Sequence, residues 1–140
     1  MKNSNFGFTL VELIIVLAIV VIIGAILIPN FLNTTDRARL RSDVQSVRVL
    51  QNALDLHNIE QPTSLGLSDS MDNIISQLAE RGYIDERRVV VQTASASFAL
   101  NSAGNVILNI SNANNNIRTT LYNQLSIQER NYVEGGLSSE

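Results

Sequence analysis

The sequence predicts an α+β fold: a long N-terminal α-helix, apolar in its first half and amphipathic in its second, packed on a small antiparallel β-sheet head. Three observations carry this expectation. Leu13 to Ile28 is apolar throughout apart from Gly24, and no charge falls between Glu12 and Asp36. Leu40, Val44, Val47, Leu50 and Leu54 then recur at helical spacings of three and four, which is one face of an amphipathic helix. Further on, Ser95–Leu100 and Asn105–Ile110 alternate in polarity around the turn-forming run Asn101-Ser102-Ala103-Gly104, the pattern of a hairpin.

Composition narrows the functions open to such a chain. Its 140 residues suit one ordinary domain. With a formal net charge of −3, it offers no basic field for nucleic acid. No cysteine is present, which removes disulfides, thiolate metal sites and cysteine nucleophiles. The single histidine, His57, excludes a multi-histidine metal site. It reads as a surface or docking residue. Aromatic residues make up 5% of the chain and none is tryptophan, so platforms for stacking bases are scarce.

The first element is the apolar run. A span of roughly 20 apolar residues matches the hydrocarbon core of a bilayer. A secretory signal peptide fits poorly, because residues 26–31 read Ile-Leu-Ile-Pro-Asn-Phe rather than a small-residue cleavage site. A permanent anchor and an anchor that later packs against its own copies both remain. Lys2 lies before the run and Arg37, Arg39 and Arg41 after it, so basic residues do not orient it. Glu12 stands out at the start of the run. A carboxylate there is either hydrated in the headgroup layer or held for a buried positive partner.

Residues 7–16 read Gly-Phe-Thr-Leu-Val-Glu-Leu-Ile-Ile-Val. This run resembles the N-terminal processing and assembly motif of type IV prepilins and pseudopilins. The resemblance implies that a membrane-embedded aspartyl prepilin peptidase cuts between Gly7 and Phe8 and methylates the new Phe8 amine. It implies that Glu12 is the assembly glutamate, meeting the Phe8 ammonium of a neighbouring subunit. Physical chemistry agrees with the assignment. Gly7 lets an extended backbone press into a protease cleft. A subunit slipped along a filament would leave a buried charge unpaired. The leader departs from the commonest pattern, since Phe6 rather than a basic residue precedes Gly7 and Lys2 is its only cation. Pro29 also fits the family. With Gly24 it marks a helix stretch that is softened, because proline removes a backbone donor and glycine costs helix propensity.

The second half of the helix is expected from Asp36 to about Ile59, with Arg39 and Asp43 placed for an i, i+4 ion pair. A continuous helix from Phe8 would be roughly 80 Å long at ~1.5 Å per residue. A small head can cover only the part after Asp36. Gln61–Ser70, holding Pro62 and Gly66, reads as a loop. Asp69 or Ser70 then caps a short helix through Ile74, Ile75 and Leu78 that stops at Gly82. Val89–Gln92 reads as a strand ahead of the hairpin. Ser111–Asn116 is an asparagine-rich loop, and Ile117, Leu121 and Leu125 share one helix face. Ser126 and Glu129 form a capping box, and Gly135–Glu140 reads as a frayed tail.

The expected organisation is therefore a leader at 1–7, a transmembrane and assembly helix at 8–35, its amphipathic continuation at 36–60 and a pilin-like head at 61–140. The resemblance implies a structural subunit, not an enzyme, and no cofactor or metal. Past Glu86 only Glu129, Glu134 and Glu140 are acidic, which disfavours a calcium site and favours a type IV pilus subunit. The implied partners are copies of the chain in a helical filament, the prepilin peptidase, an assembly platform with its ATPase, and the cytoplasmic membrane before assembly. No specific nucleic acid is expected. The filament would stand on the cell surface, with adhesion and twitching motility among its possible uses. The alternatives are a pseudopilin of a type II secretion or DNA-uptake machine, and a single-pass tethered binding domain that never polymerises.

Overall fold

The computed structural model describes residues 9–137, and of residues 28–31 the backbone only. Helix α1 runs Leu10–Glu60. Packing contacts divide the chain between Thr35 and Asp36 into two compact units, which are taken in turn.

In the first unit α1 is helical throughout, Gly24 and Pro29 included. Its large apolar side chains face outward: Leu10 is 74% exposed, Val21 68% and Leu32 58%. This part of the helix is long and apolar enough to cross a membrane.

In the second unit the same helix turns amphipathic, and the expected stripe is the core. Leu40, Val44, Val47, Leu50 and Leu54 are all buried. They meet Ile74 and Leu78 of α2 (Met71–Glu80) and Val106 and Leu108 of the sheet in one apolar cluster. Ser70 caps α2 by accepting the Asn73 N–H. The sheet holds β1 (Ser97–Leu100), β2 (Val106–Asn109) and β3 (Val133–Glu134) in that spatial order. β1 and β2 form the expected antiparallel hairpin, with Phe98 opposite Leu108. The turn closes where Gly104 N–H donates to Asn101 O at 2.9 Å. β3 pairs parallel to β2, so the sheet is mixed rather than wholly antiparallel. Two residues are too few to show periodicity in a sequence, so β3 leaves no local signal.

Ile117 and Leu121 are buried on a π-helix (Ile117–Leu121), and Leu125 is buried just beyond it. The capping box at Ser126 and Glu129 opens the short helix α3 (Ile127–Arg130) as expected.

Three local expectations are corrected, and a further one left open is decided. Val89–Gln92 is not a strand; it follows a 3₁₀ turn (Glu86–Arg88) as irregular chain. Its hydrogen bonds go to Asp43 instead of a sheet neighbour. Gln92 N–H donates to Asp43 Oδ1 at 2.9 Å and Thr93 N–H to Oδ2 at 2.7 Å. Asp43 is therefore fully buried rather than paired with Arg39, and Arg39 meets Asp36 at 3.4 Å. Of the two readings of His57, surface or docking, burial selects docking. Its ring stands edge-on to Tyr83 at 5.7 Å, and Asn58 beside it locks Leu65 through both its N–H and its carbonyl. Finally, Gly135–Leu137 is docked rather than frayed. Arg118 Nε donates to Gly135 O, and Leu137 N–H donates to Arg118 O. A Cβ on Gly136 would stand 2.4 Å from the Tyr122 ring, so only glycine permits this approach.

Candidate processing and assembly site

The site begins at the first residues of α1. Thr9 is the residue before the helix and Glu12 is its third residue. Thr9 N–H donates to Glu12 Oε2 at 2.8 Å, and Thr9 Oγ1 donates to the same oxygen at 2.9 Å. Glu12 N–H donates back to Thr9 Oγ1 at 3.3 Å. This reciprocal pair is a capping box, which satisfies two backbone donors that a helix start otherwise leaves without partners. Its negative charge also lies at the positive end of the helix dipole.

Glu12 is thus engaged at its own helix start. Its own helix orients it through Oε2, while Oε1 takes part in none of these bonds. The signal was present in the sequence as Thr-x-x-Glu ahead of an apolar run. The bilayer argument draws attention to the charge of Glu12 and away from its spacing to Thr9. Gly7 and Phe8, the expected cleavage and methylation positions, lie outside the described residues. Gly24 is within α1, and a Cβ built on it meets nothing within 4 Å. Its lack of a side chain therefore serves no packing contact within the described residues. Pro29 is helical in its backbone.

A family model described as the prokaryotic N-terminal methylation motif matches residues 2–28. The chain is 34% identical over 73 residues to a prepilin peptidase-dependent protein A of Clostridium perfringens, covering 52% of this chain and 49% of that protein. It is 36% identical over 76 residues to the type IV wide pilus major component PilA4 of Thermus thermophilus, covering 54% and 55%. The chain therefore carries the N-terminal motif of type IV pilins and pseudopilins and resembles such proteins over about half of its length. A third family relative is the type II secretion system core protein G of Aeromonas hydrophila, 25% identical over 76 residues, 54% of this chain and 53% of that one. The chain spans about half the length of the curated relatives it matches. No solved structure matches it significantly.

The match gives the outward-facing apolar helix a physical sense. The motif fits membrane anchoring, and the exposed apolar side chains among residues 10–27 and at Leu32 are those a membrane-crossing helix requires.

Proposed function

We propose that this protein is a structural subunit of a type IV pilus. It is made as a single-pass precursor of the cytoplasmic membrane, with residues 1–7 as leader, 8–35 as the transmembrane and assembly helix, 36–60 as its amphipathic continuation and 61–140 as the head. Prepilin peptidase cuts between Gly7 and Phe8 and methylates the Phe8 amine. An assembly platform and ATPase then draw subunits into a surface filament. The chain itself carries out no chemistry.

The observation that carries this reading is the Thr9–Glu12 capping box at the head of an exposed apolar helix. Cleavage before Phe8 leaves the Thr9 N–H an amide, so the box survives processing. Glu12 Oε2 stays on its own helix, and Oε1 is open to the Phe8 ammonium of a neighbour. In apolar surroundings that pair attracts strongly but carries a desolvation cost, so its main effect is axial register. The stretch from Gly24 to Pro29 supplies a soft element that extends as subunits leave the bilayer.

Glu12→Gln tests the register role. Glutamine keeps an acceptor for Thr9 and loses only the charge. Processed, membrane-held protein with few filaments is the expected result, by mass spectrometry and electron microscopy of sheared surface fractions. Filaments at normal yield would reject the charge role. A native chain that keeps residues 1–7 within fibres would reject the reading as a whole.

A second reading, a pseudopilin of a type II secretion machine, is favoured by the relatives named core protein G in Aeromonas hydrophila, Escherichia coli and Vibrio cholerae. Deletion separates the two: loss of surface filaments supports the pilus, and loss of a secreted protein with filaments intact supports the pseudopilin.

A further inference from the structure

The unit from Asp36 onward carries a groove that neither the core nor the assembly helix uses. Two cavities of 360 Å³ and 350 Å³ share Gln51, Asn131 and Tyr132, so they adjoin along α1. Arg48, Asn52 and Gln128 complete the first. Asp55, Asn101 and Asn105 supply the polar lining of the second.

The first cavity has one charged lining residue, Arg48. Its guanidinium carbon lies 5.0 Å from the centre of the Tyr132 ring, a cation–π contact that holds it in place. Among the described residues Arg48 forms no salt bridge, and the Glu129 carboxylate feels its charge only weakly. Around it stand the exposed amides of Asn52, Gln128 and Asn131. Gln51 is scaffold, since its Oε1 accepts the Val106 N–H and its Nε2 donates to Asp55. A guanidinium offers paired donors that suit a carboxylate. Each free amide offers a donor and an acceptor, which suits hydroxyl groups. The second cavity holds Asp55 beside two asparagines, so it accepts hydroxyls and repels a second carboxylate.

We infer that this groove binds an acidic saccharide, with a uronic acid carboxylate on Arg48 and the adjoining neutral sugar against Asn101 and Asn105. The inference stands whether or not the chain polymerises.

Isothermal titration of the full chain in detergent micelles tests it with two ligands of one shape: cellobiouronic acid and its carboxyl-reduced counterpart, cellobiose. The acid is expected to bind at least about tenfold more tightly, the scale of one charge-assisted contact. Arg48→Gln removes that preference. Asn131→Ala, at an exposed position, weakens the acid severalfold with the melting curve unchanged. Equal binding of the two sugars, or binding of neither, overturns the proposal. If Arg48→Gln unfolds the head through loss of the Tyr132 contact, Asn131→Ala decides alone, and unchanged affinity overturns it.

Discussion

One helix, α1, serves two units with opposite solvent relations. Before Thr35 its apolar side chains point outward, and Leu17 is 55% exposed. After Asp36 the stripe Leu40, Val44, Val47, Leu50 and Leu54, of the same chemistry, points inward, and Leu50 is fully buried. The apolar residue types hardly change; the polar and charged residues set among them do. Where every position is apolar, no face is selected, and burial has to come from lipid or from other chains. Where apolar residues recur at three and four, a face is selected and the head closes on it. The same leucine is therefore worth different amounts of folding stability in the two units.

That difference sets the largest expected effect. Leu50→Ala leaves a cavity in the core and should lower stability by about 2–5 kcal/mol. Leu17→Ala should leave head unfolding within about 0.5 kcal/mol of the parent, since it touches none of the core. Chemical denaturation of the full chain in detergent, followed by head tyrosine fluorescence, checks both. Equal losses from the two variants would break the distinction.

The next effect probes how the head holds together without disulfides. Asp43→Ala leaves the buried Thr93 N–H with no acceptor and frees the Gln92 N–H beside it, at a cost of about 2–3 kcal/mol. Asp43→Asn keeps one acceptor oxygen and should lose about half as much. Gly136→Ala forces a Cβ against the Tyr122 ring and should cost about 1–3 kcal/mol. It should also free the Leu137 amide, now bonded to Arg118 O, to exchange its hydrogen faster while amides of β2 stay protected. Unchanged protection at Leu137 would mean that the C-terminal dock does not depend on this close approach.

These same residues mark the limit of what the sequence reveals. The core stripe from Leu40 to Leu54, the cap at Ser70 and the turn at Asn101–Gly104 are legible because each is decided within one or two turns of chain. Asp43, by contrast, finds its partners about 50 residues away. A local rule assigns it to Arg39, four residues back, whereas burial favours the two backbone donors. His57 is left open between surface and docking for the same reason, because the ring packed against it belongs to Tyr83. Gly135 and Gly136 read as a frayed end until Ser111, Arg118 and Tyr122 are brought beside them. The motif at the candidate site was legible in its chemistry but not in its geometry. The charge of Glu12 stands out in an apolar run, whereas its spacing to Thr9 is common to many helix starts.

The smallest expected effect comes from a motif that both units contain. Thr9 and Glu12 open α1, and Ser126 and Glu129 open α3, with the same reciprocal bonds. In the head box, the Ser126 backbone N–H holds the Glu129 carboxyl below its ordinary value of 4.5, aided by the Ser126 hydroxyl and, less, by Arg41 and Arg48. A carboxyl lowered on folding stabilises the fold fully above its unfolded value. That contribution is lost as pH falls through the lowered folded value. Head stability should therefore decline from about pH 4.5 downward, and Glu129→Gln should flatten part of that decline. Ser126→Ala should cost about 1 kcal/mol at neutral pH and flatten the same region. If neither variant changes the acid slope, the box is a geometric cap without electrostatic weight. The Thr9–Glu12 box would then also be better regarded as a positioning device for Glu12 than as a source of helix stability.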